Sequence, residues 1–264
     1  MESTAAARPL VKCQGLCGRA SHLSVTYYHR WAMSANYIVD GFFQAVNLIA
    51  SLNPEIFGVT VLSLQVSGTA TLLAALVGIP AGVLIGLNEF PGKRLLQNLI
   101  NTLMGLPPVV VGLLVFLTVS RAGPLGSYGI LFTPTAMIIA QFVLVTPIIA
   151  SLSISATRAV DRSVIETAVS LGARKFETMS VVLFEARQAL VTAVLAGFGR
   201  AVAEVGAVMI VGGDIRWATR VLTTSIVLQT RVGDYAMAIA HGLILLLLSF
   251  TINLMVNMMQ RDHR

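Results

Sequence analysis

Charge is scarce in this chain. Asp, Glu, Lys and Arg make up 11% of its 264 residues, where a soluble domain carries about 25%. So little charge cannot clothe a globular surface, and a mean hydropathy of +0.81 places the chain in the membrane class. Cysteine is limited to Cys13 and Cys17. That C-x-x-x-C pair has no His or Cys partner at ligand spacing, so it gives no metal site. Histidine is rare too: there are four, His22 and His263 lying near the termini. They form no H-E-x-x-H and no nucleophile–His–acid set, so no enzyme chemistry and no cofactor are expected. The phosphate-cradling G-x-x-x-x-G-K-[ST] is also missing. "GLNEFPGK" at 86–93 comes nearest, but it has one residue too many and Arg94 follows the lysine. Without that cradle the chain does not hydrolyse ATP. Its net charge of +6 includes no basic stripe interleaved with aromatics, which argues against nucleic acid. Lys and Arg beside anionic membrane lipid is the better reading.

What is present is long apolar runs. A spanning helix needs about 20 largely apolar residues. Five segments meet that length: 58–87, 95–119, 134–155, 189–212 and 235–259. The stretch 33–57 is shorter and mixed, and its 37–52 part reads as an amphipathic helix at the interface rather than a sixth span. Residues 1–32 are polar and lack an apolar run of signal-peptide length. They read as a disordered tail or an over-extended start, with Met33 as a natural beginning.

Orientation follows from Lys and Arg near the span ends. Lys93, Arg94, Arg158, Arg162, Arg174, Lys175, Arg187, Arg261 and Arg264 fall on one side, and Arg121, Arg216, Arg220 and Arg231 on the other. The richer side is expected to be cytoplasmic, with the C-terminus at 261–264. Five spans then put the N-terminus outside. Arg8, Lys12, Arg19 and Arg30 of the tail nearly cancel the bias, a second reason to set 1–32 apart.

One cytoplasmic loop, about 157–187, is unlike its surroundings. In "SVIETAVSLGARKF", Ile165, Ala168, Val169 and Leu171 give a helix one apolar side, and Gly172 follows where a left-handed C-cap wants glycine. "ARKFETM" opens a second amphipathic turn, with Phe176 and Met179 three apart. The pattern predicts two short helices joined at a glycine corner across the cytoplasmic end of the bundle. An ordinary solvated loop is the other reading of the same residues.

Glu166, Thr167, Ala168 and Gly172 resemble the E-A-A-x-x-x-G signature of ABC importer permeases. Thr167 replaces an alanine, and Glu185 stands where the following I-x-L-P would end in proline. The resemblance covers roughly residues 33–260. "NTLMGLPPVVVGLL", "GPLGSYGILFTPTAMIIAQ", "GFGRAVAEVGAVMIVGG" and "TRVLTTSIVLQT" are similar to the permease subunits of tungstate-type oxyanion importers, with molybdate and sulfate permeases as close relatives. This implies an all-α, type I importer fold over 58–260 with about five spans, working as a two-fold homodimer in the inner membrane. It implies a coupling loop in which Glu166, Thr167, Ala168, Gly172, Arg174 and Phe176 meet a cytoplasmic ATP-binding subunit in two copies. It also implies an extracytoplasmic oxyanion-binding protein.

Candidate path residues come from charge and proline at membrane depth. Arg200 and Glu204 lie inside the fourth expected span. There each charge costs at least about 2.5–3.5 kcal/mol, so it is paired or functional. At i, i+4 they either neutralise one another or leave Arg200 to receive a passing anion. Ala193, Gly197 and Ala207 on the same face are small enough for a close helix approach. Pro107 and Pro108 are either a kink or part of the route. Thr223, Thr224 and Ser225 offer hydroxyls to an anion at the outer mouth or cap a surface helix. An ion-gradient carrier or channel is the rival from another class, and it would need no docking loop.

Overall fold

The computed structural model describes residues 37–261. The expected tail 1–32 and residues 262–264 lie outside the described residues. The chain divides into two compact units, Met1–Asp40 and Gly41–Arg264, and the second holds the helical bundle. Every regular element among the described residues is helical: α1 (Tyr37–Ala50), α2 (Pro54–Leu87), α3 (Lys93–Met104), α4 (Pro108–Val119), a 3-10 turn (Gly126–Tyr128), α5 (Pro134–Arg158), α6 (Arg162–Ser170), α7 (Lys175–Glu185), α8 (Arg187–Val202), α9 (Gly206–Gly212), α10 (Leu222–Val232) and α11 (Tyr235–Arg261).

Three of these, α2, α5 and α11, are long and apolar enough to cross a membrane singly, and there are up to five spans if each of two bent helix pairs counts as one. With 34 residues, α2 is about 51 Å long at 1.5 Å per residue, well beyond the roughly 30 Å hydrocarbon core. Its start is fixed locally. Asn53 accepts the Glu55 N–H at 2.9 Å and Pro54 takes the first helical position, where its missing N–H costs nothing. The helix that carries the first expected span therefore begins at Pro54, four residues ahead of 58.

The bundle is built on α5. Gly78, Gly82 and Gly86 line the side of α2 that meets it. A Cβ at Gly82 would lie 2.5 Å from the Ser153 Cβ and 2.7 Å from the Ala150 carbonyl oxygen, so the two backbones approach as closely as small residues allow. One buried core joins Val66, Val111, Val115, Met137, Ala140, Val208 and Val211, which ties α2, α4, α5 and α9 together. Outward faces stay apolar: Leu72 and Leu76 of α2 and Leu246, Leu247 and Phe250 of α11 are exposed, as a lipid-facing surface requires.

Two of the expected spans are not continuous. Residues 95–119 break into α3 and α4, which meet at 95°. The cause is Pro107 and Pro108, which lack the N–H groups a continuing helix needs, and Pro107 is extended at φ −61, ψ 123. Residues 189–212 break as well. The helix α8 ends at Val202 and α9 restarts at Gly206, while at its other end α8 meets α7 at 69°.

Candidate functional site

Two places carry the candidate residues: the loop around Gly172 and the meeting point of the two broken helices.

The loop folds as the sequence predicts. Asp161 opens α6 by accepting the Ser163 N–H at 2.9 Å, and that bond holds its carboxyl below the usual carboxylate range. At the far end Gly172 has φ +87, a conformation that costs an L side chain roughly 1–2 kcal/mol. The Ala173 N–H donates to the Ala168 carbonyl and the Gly172 N–H to the Val169 carbonyl, each at 3.0 Å. That is the two-bond helix stop of a Schellman motif. Beyond the corner, Glu177 reaches back to accept the Arg174 N–H at 2.6 Å and caps α7. Among the described residues Glu166 is paired only with Arg162 on its own helix, at 3.1 Å and well exposed. Leu171 and Phe176 are 83% and 81% exposed. Val169 is exposed as well, giving an apolar surface at the corner.

The second place lies within the bundle. The Arg200 Nη1 donates to the Glu204 Oε2 at 2.5 Å. The arginine side chain is 41% exposed and the glutamate 5%. The other Glu204 oxygen accepts the Ala207 N–H at 3.2 Å, capping α9, so the break at Ala203–Val205 is built around this carboxylate. The corner is braced from three sides. Gln141 of α5 donates to the Ala201 carbonyl at 3.0 Å. The Thr223 hydroxyl donates to the Glu204 carbonyl at 2.8 Å. Val109, just after the two prolines, packs on Gly206, where a Cβ would come within 2.8 Å of its Cγ2. The structure thus brings Pro107, Pro108, Arg200, Glu204 and Thr223 together.

Thr224 and Ser225 belong to the interior. The Thr224 hydroxyl accepts the Val221 N–H at 3.1 Å and caps α10. Thr223, Thr224 and Ser225 are all buried in the chain, and the Ser225 hydroxyl has no hydrogen-bond partner among the described residues.

A charged cluster escapes sequence reasoning altogether. Glu55, at the start of α2, accepts from Arg216 at 2.5 Å and Arg220 at 3.3 Å. Arg220 also lies 3.4 Å from Asp214, and both side chains are nearly buried. Asp214 has φ +51. The group pins the loop after α9 to the head of α2 around a cavity of about 110 Å³. Glu55 and Arg216 stand 161 positions apart, so no local spacing announces the pairing. Only the charge density of "GGDIRWATR" hints at it.

The bundle has three to five segments long and apolar enough to cross a membrane, an exposed two-helix loop and a paired charge inside, the build of a multi-pass membrane protein. The chain belongs to the family of binding-protein-dependent transport system inner membrane components, which it matches over residues 78–264. It is 44% identical over 226 residues to the tungstate uptake system permease protein TupB of Peptoclostridium acidaminophilum, covering 86% of this chain and 99% of that one. The TupB of Campylobacter jejuni is 35% identical over 86% of this chain and 95% of its own length. Among solved structures, a bacterial alginate ABC transporter in complex with a periplasmic protein superposes with a TM-score of 0.67 at 16% identity, over 92% of this chain and 93% of that one. At that identity the likeness speaks for the fold alone.

Proposed function

We propose that this chain is the membrane-spanning subunit of an ATP-driven importer for an inorganic oxyanion, tungstate first. The observation that carries the substrate is the 44% identity running through 99% of a tungstate permease's length. Molybdate and sulfate permeases are relatives at lower identity. The exposed handle supports a partner that supplies the energy. Glu166, Thr167, Ala168, Gly172, Arg174 and Phe176 form the surface for a cytoplasmic ATP-binding subunit, present twice in the assembly. An extracytoplasmic binding protein delivers the anion, and a second copy of this chain completes the route between two-fold-related subunits. The α6–α7 end and the C-terminus are cytoplasmic, in keeping with the excess of Lys and Arg there.

Within the route, Arg200 is the charge that meets the anion. Glu204 holds it between passages, while Pro107, Pro108 and Thr223 shape the corner. Thr224 and Ser225 stand behind them. A two-state gate moved from 1:99 to 99:1 needs about 5.5 kcal/mol of differential binding, which ATP closure of two partner subunits on the handle provides. The test is uptake in cells carrying this chain with its ATPase and binding protein. Tungstate should accumulate, with a large excess of molybdate competing weakly and sulfate weaker still. Sulfate accumulation untouched by tungstate would overturn the substrate, and accumulation without the ATPase would overturn the class.

A further inference from the structure

The turn between α2 and α3 and the last residue of α5 line an open polar cavity of about 400 Å³, with Glu89, Phe90, Lys93, Arg94, Gln97 and Arg158 around it. Its charge is unbalanced. The Lys93 ammonium is buried and committed, donating to Glu89 at 2.7 Å and to the Gly86 carbonyl at 3.2 Å. That bond and the Lys93 charge, with smaller contributions from Arg158 and Arg94, hold the Glu89 carboxyl below the usual carboxylate range, and the lysine is its bonded partner. Arg94 and Arg158 are both exposed. Neither makes any of the ion pairs among the described residues. The Gln97 amide nitrogen is a donor shielded from solvent with no acceptor among the described residues. Two guanidinium groups and an amide donor therefore face one cavity with a single acid that is already neutralised. The missing partner is an anion with several acceptor oxygens, which guanidinium forks bind two at a time.

The position selects among anions. Glu89 and Phe90 follow the end of α2 at Leu87, and Arg158 ends α5. The cavity therefore sits where two helices long and apolar enough to cross a membrane end side by side. Phe90 and Leu95 beside it are exposed, Leu95 by 74%, which suits acyl chains next to the headgroup. We infer that this cavity binds the phosphate of an anionic membrane phospholipid, held by Arg94 and Arg158 with Gln97. The leaflet rests on the proposed orientation, which makes it the cytoplasmic one, where anionic lipid attracts basic groups near the surface. The lipid contact itself does not rest on that orientation.

The experiment uses the full chain in a neutral detergent. Its thermal midpoint is measured with added phosphatidylglycerol, with phosphatidylcholine and with inorganic phosphate, and bound lipid is counted by native mass spectrometry. Wild type should gain several degrees and retain lipid with phosphatidylglycerol alone. The double variant R94Q/R158Q should lose most of that gain, while R231Q, on the opposite side, keeps it. If the double variant is not recovered, each single change should cut lipid retention severalfold. An equal gain from inorganic phosphate would make this a free-anion site and overturn the inference. So would an unchanged lipid response in R94Q/R158Q. Loss of ATPase co-purification in that variant with its lipid response intact would give the arginines to the partner subunit instead. Because no transport is measured, failure here leaves the oxyanion reading standing.

Discussion

The reading that Arg200 meets the substrate can be separated from the reading that it only neutralises Glu204. Arg200→Ala removes the guanidinium 2.5 Å from a carboxylate that is 5% exposed. Stranding one member of a buried pair costs about 3–5 kcal/mol. The cost here should fall toward the low end, because Glu204 keeps the Ala207 N–H and the arginine side was 41% exposed. Adding Glu204→Gln removes the stranded charge while an amide oxygen can still accept from Ala207. The double variant should therefore recover most of the lost assembly, a coupling that a double-mutant cycle reads directly. Transport should not recover with it. A hydrogen bond to a charged group is worth about 1.5–3 kcal/mol, so losing the guanidinium from the anion's route should slow uptake by roughly 10- to 150-fold. The assay is oxyanion uptake per assembled complex in wild type, R200A and R200A/E204Q. Full uptake in the double variant would refute the reasoning and leave Arg200 a structural partner.

Two further perturbations test the rest of the architecture. Gly172→Val faces no atom within 4 Å but cannot hold φ +87 without strain. It should leave the chain inserted while ATP hydrolysis and uptake come apart, and a stable G172V complex with wild-type uptake would count against the handle. Arg220→Gln should lower the thermal midpoint far more than Arg216→Gln, because Arg220 is the nearly buried partner of both Asp214 and Glu55 whereas Arg216 is 58% exposed. Adding Asp214→Asn should restore part of the loss, since asparagine tolerates the left-handed backbone at position 214; equal effects of R216Q and R220Q would show that burial is not what counts.

Much of the fold was legible in the chain, and the exceptions have physical causes. Apolar length alone located α2, α5 and α11, because nothing else lets a 25-residue oily run satisfy its backbone in lipid. Gly172 was legible for a local reason: a helix stop is decided by the residues within one turn. Pro107 and Pro108 announced a disturbance but not its size. The 95° turn depends on Val109 finding Gly206, a contact across 97 positions that no periodicity encodes. The break at Ala203–Val205 was hidden because its cause, Glu204 capping Ala207, looks in sequence like one more i, i+3 pair. Thr223 to Ser225 looked like a polar rim. Once α10 folds against α11 and α2 all three turn inward, and the Thr223 and Thr224 hydroxyls bond backbone groups.

The handle and the charged corner are two ends of one rod. The helix α8 begins beside α7, at a 69° bend, and runs from Arg187 to Arg200, about 20 Å at 1.5 Å per residue. It is pressed on α5 at Gly197, where a Cβ would lie 2.9 Å from Ile149. That contact leaves little room for sliding but permits tilting about small side chains. Pivoting at Gly197, a tilt of about 10° carries Arg187 through about 2.6 Å and Arg200, three residues beyond the pivot, through about 0.8 Å. On the proposed reading of Arg200, that stretches its 2.5 Å bond to Glu204 and favours an anion in the glutamate's place. A perturbation at Gly172 and one at Arg200 therefore act on the same motion from opposite ends. Their effects on uptake should combine to less than the sum of the two, because either one alone already disconnects the rod.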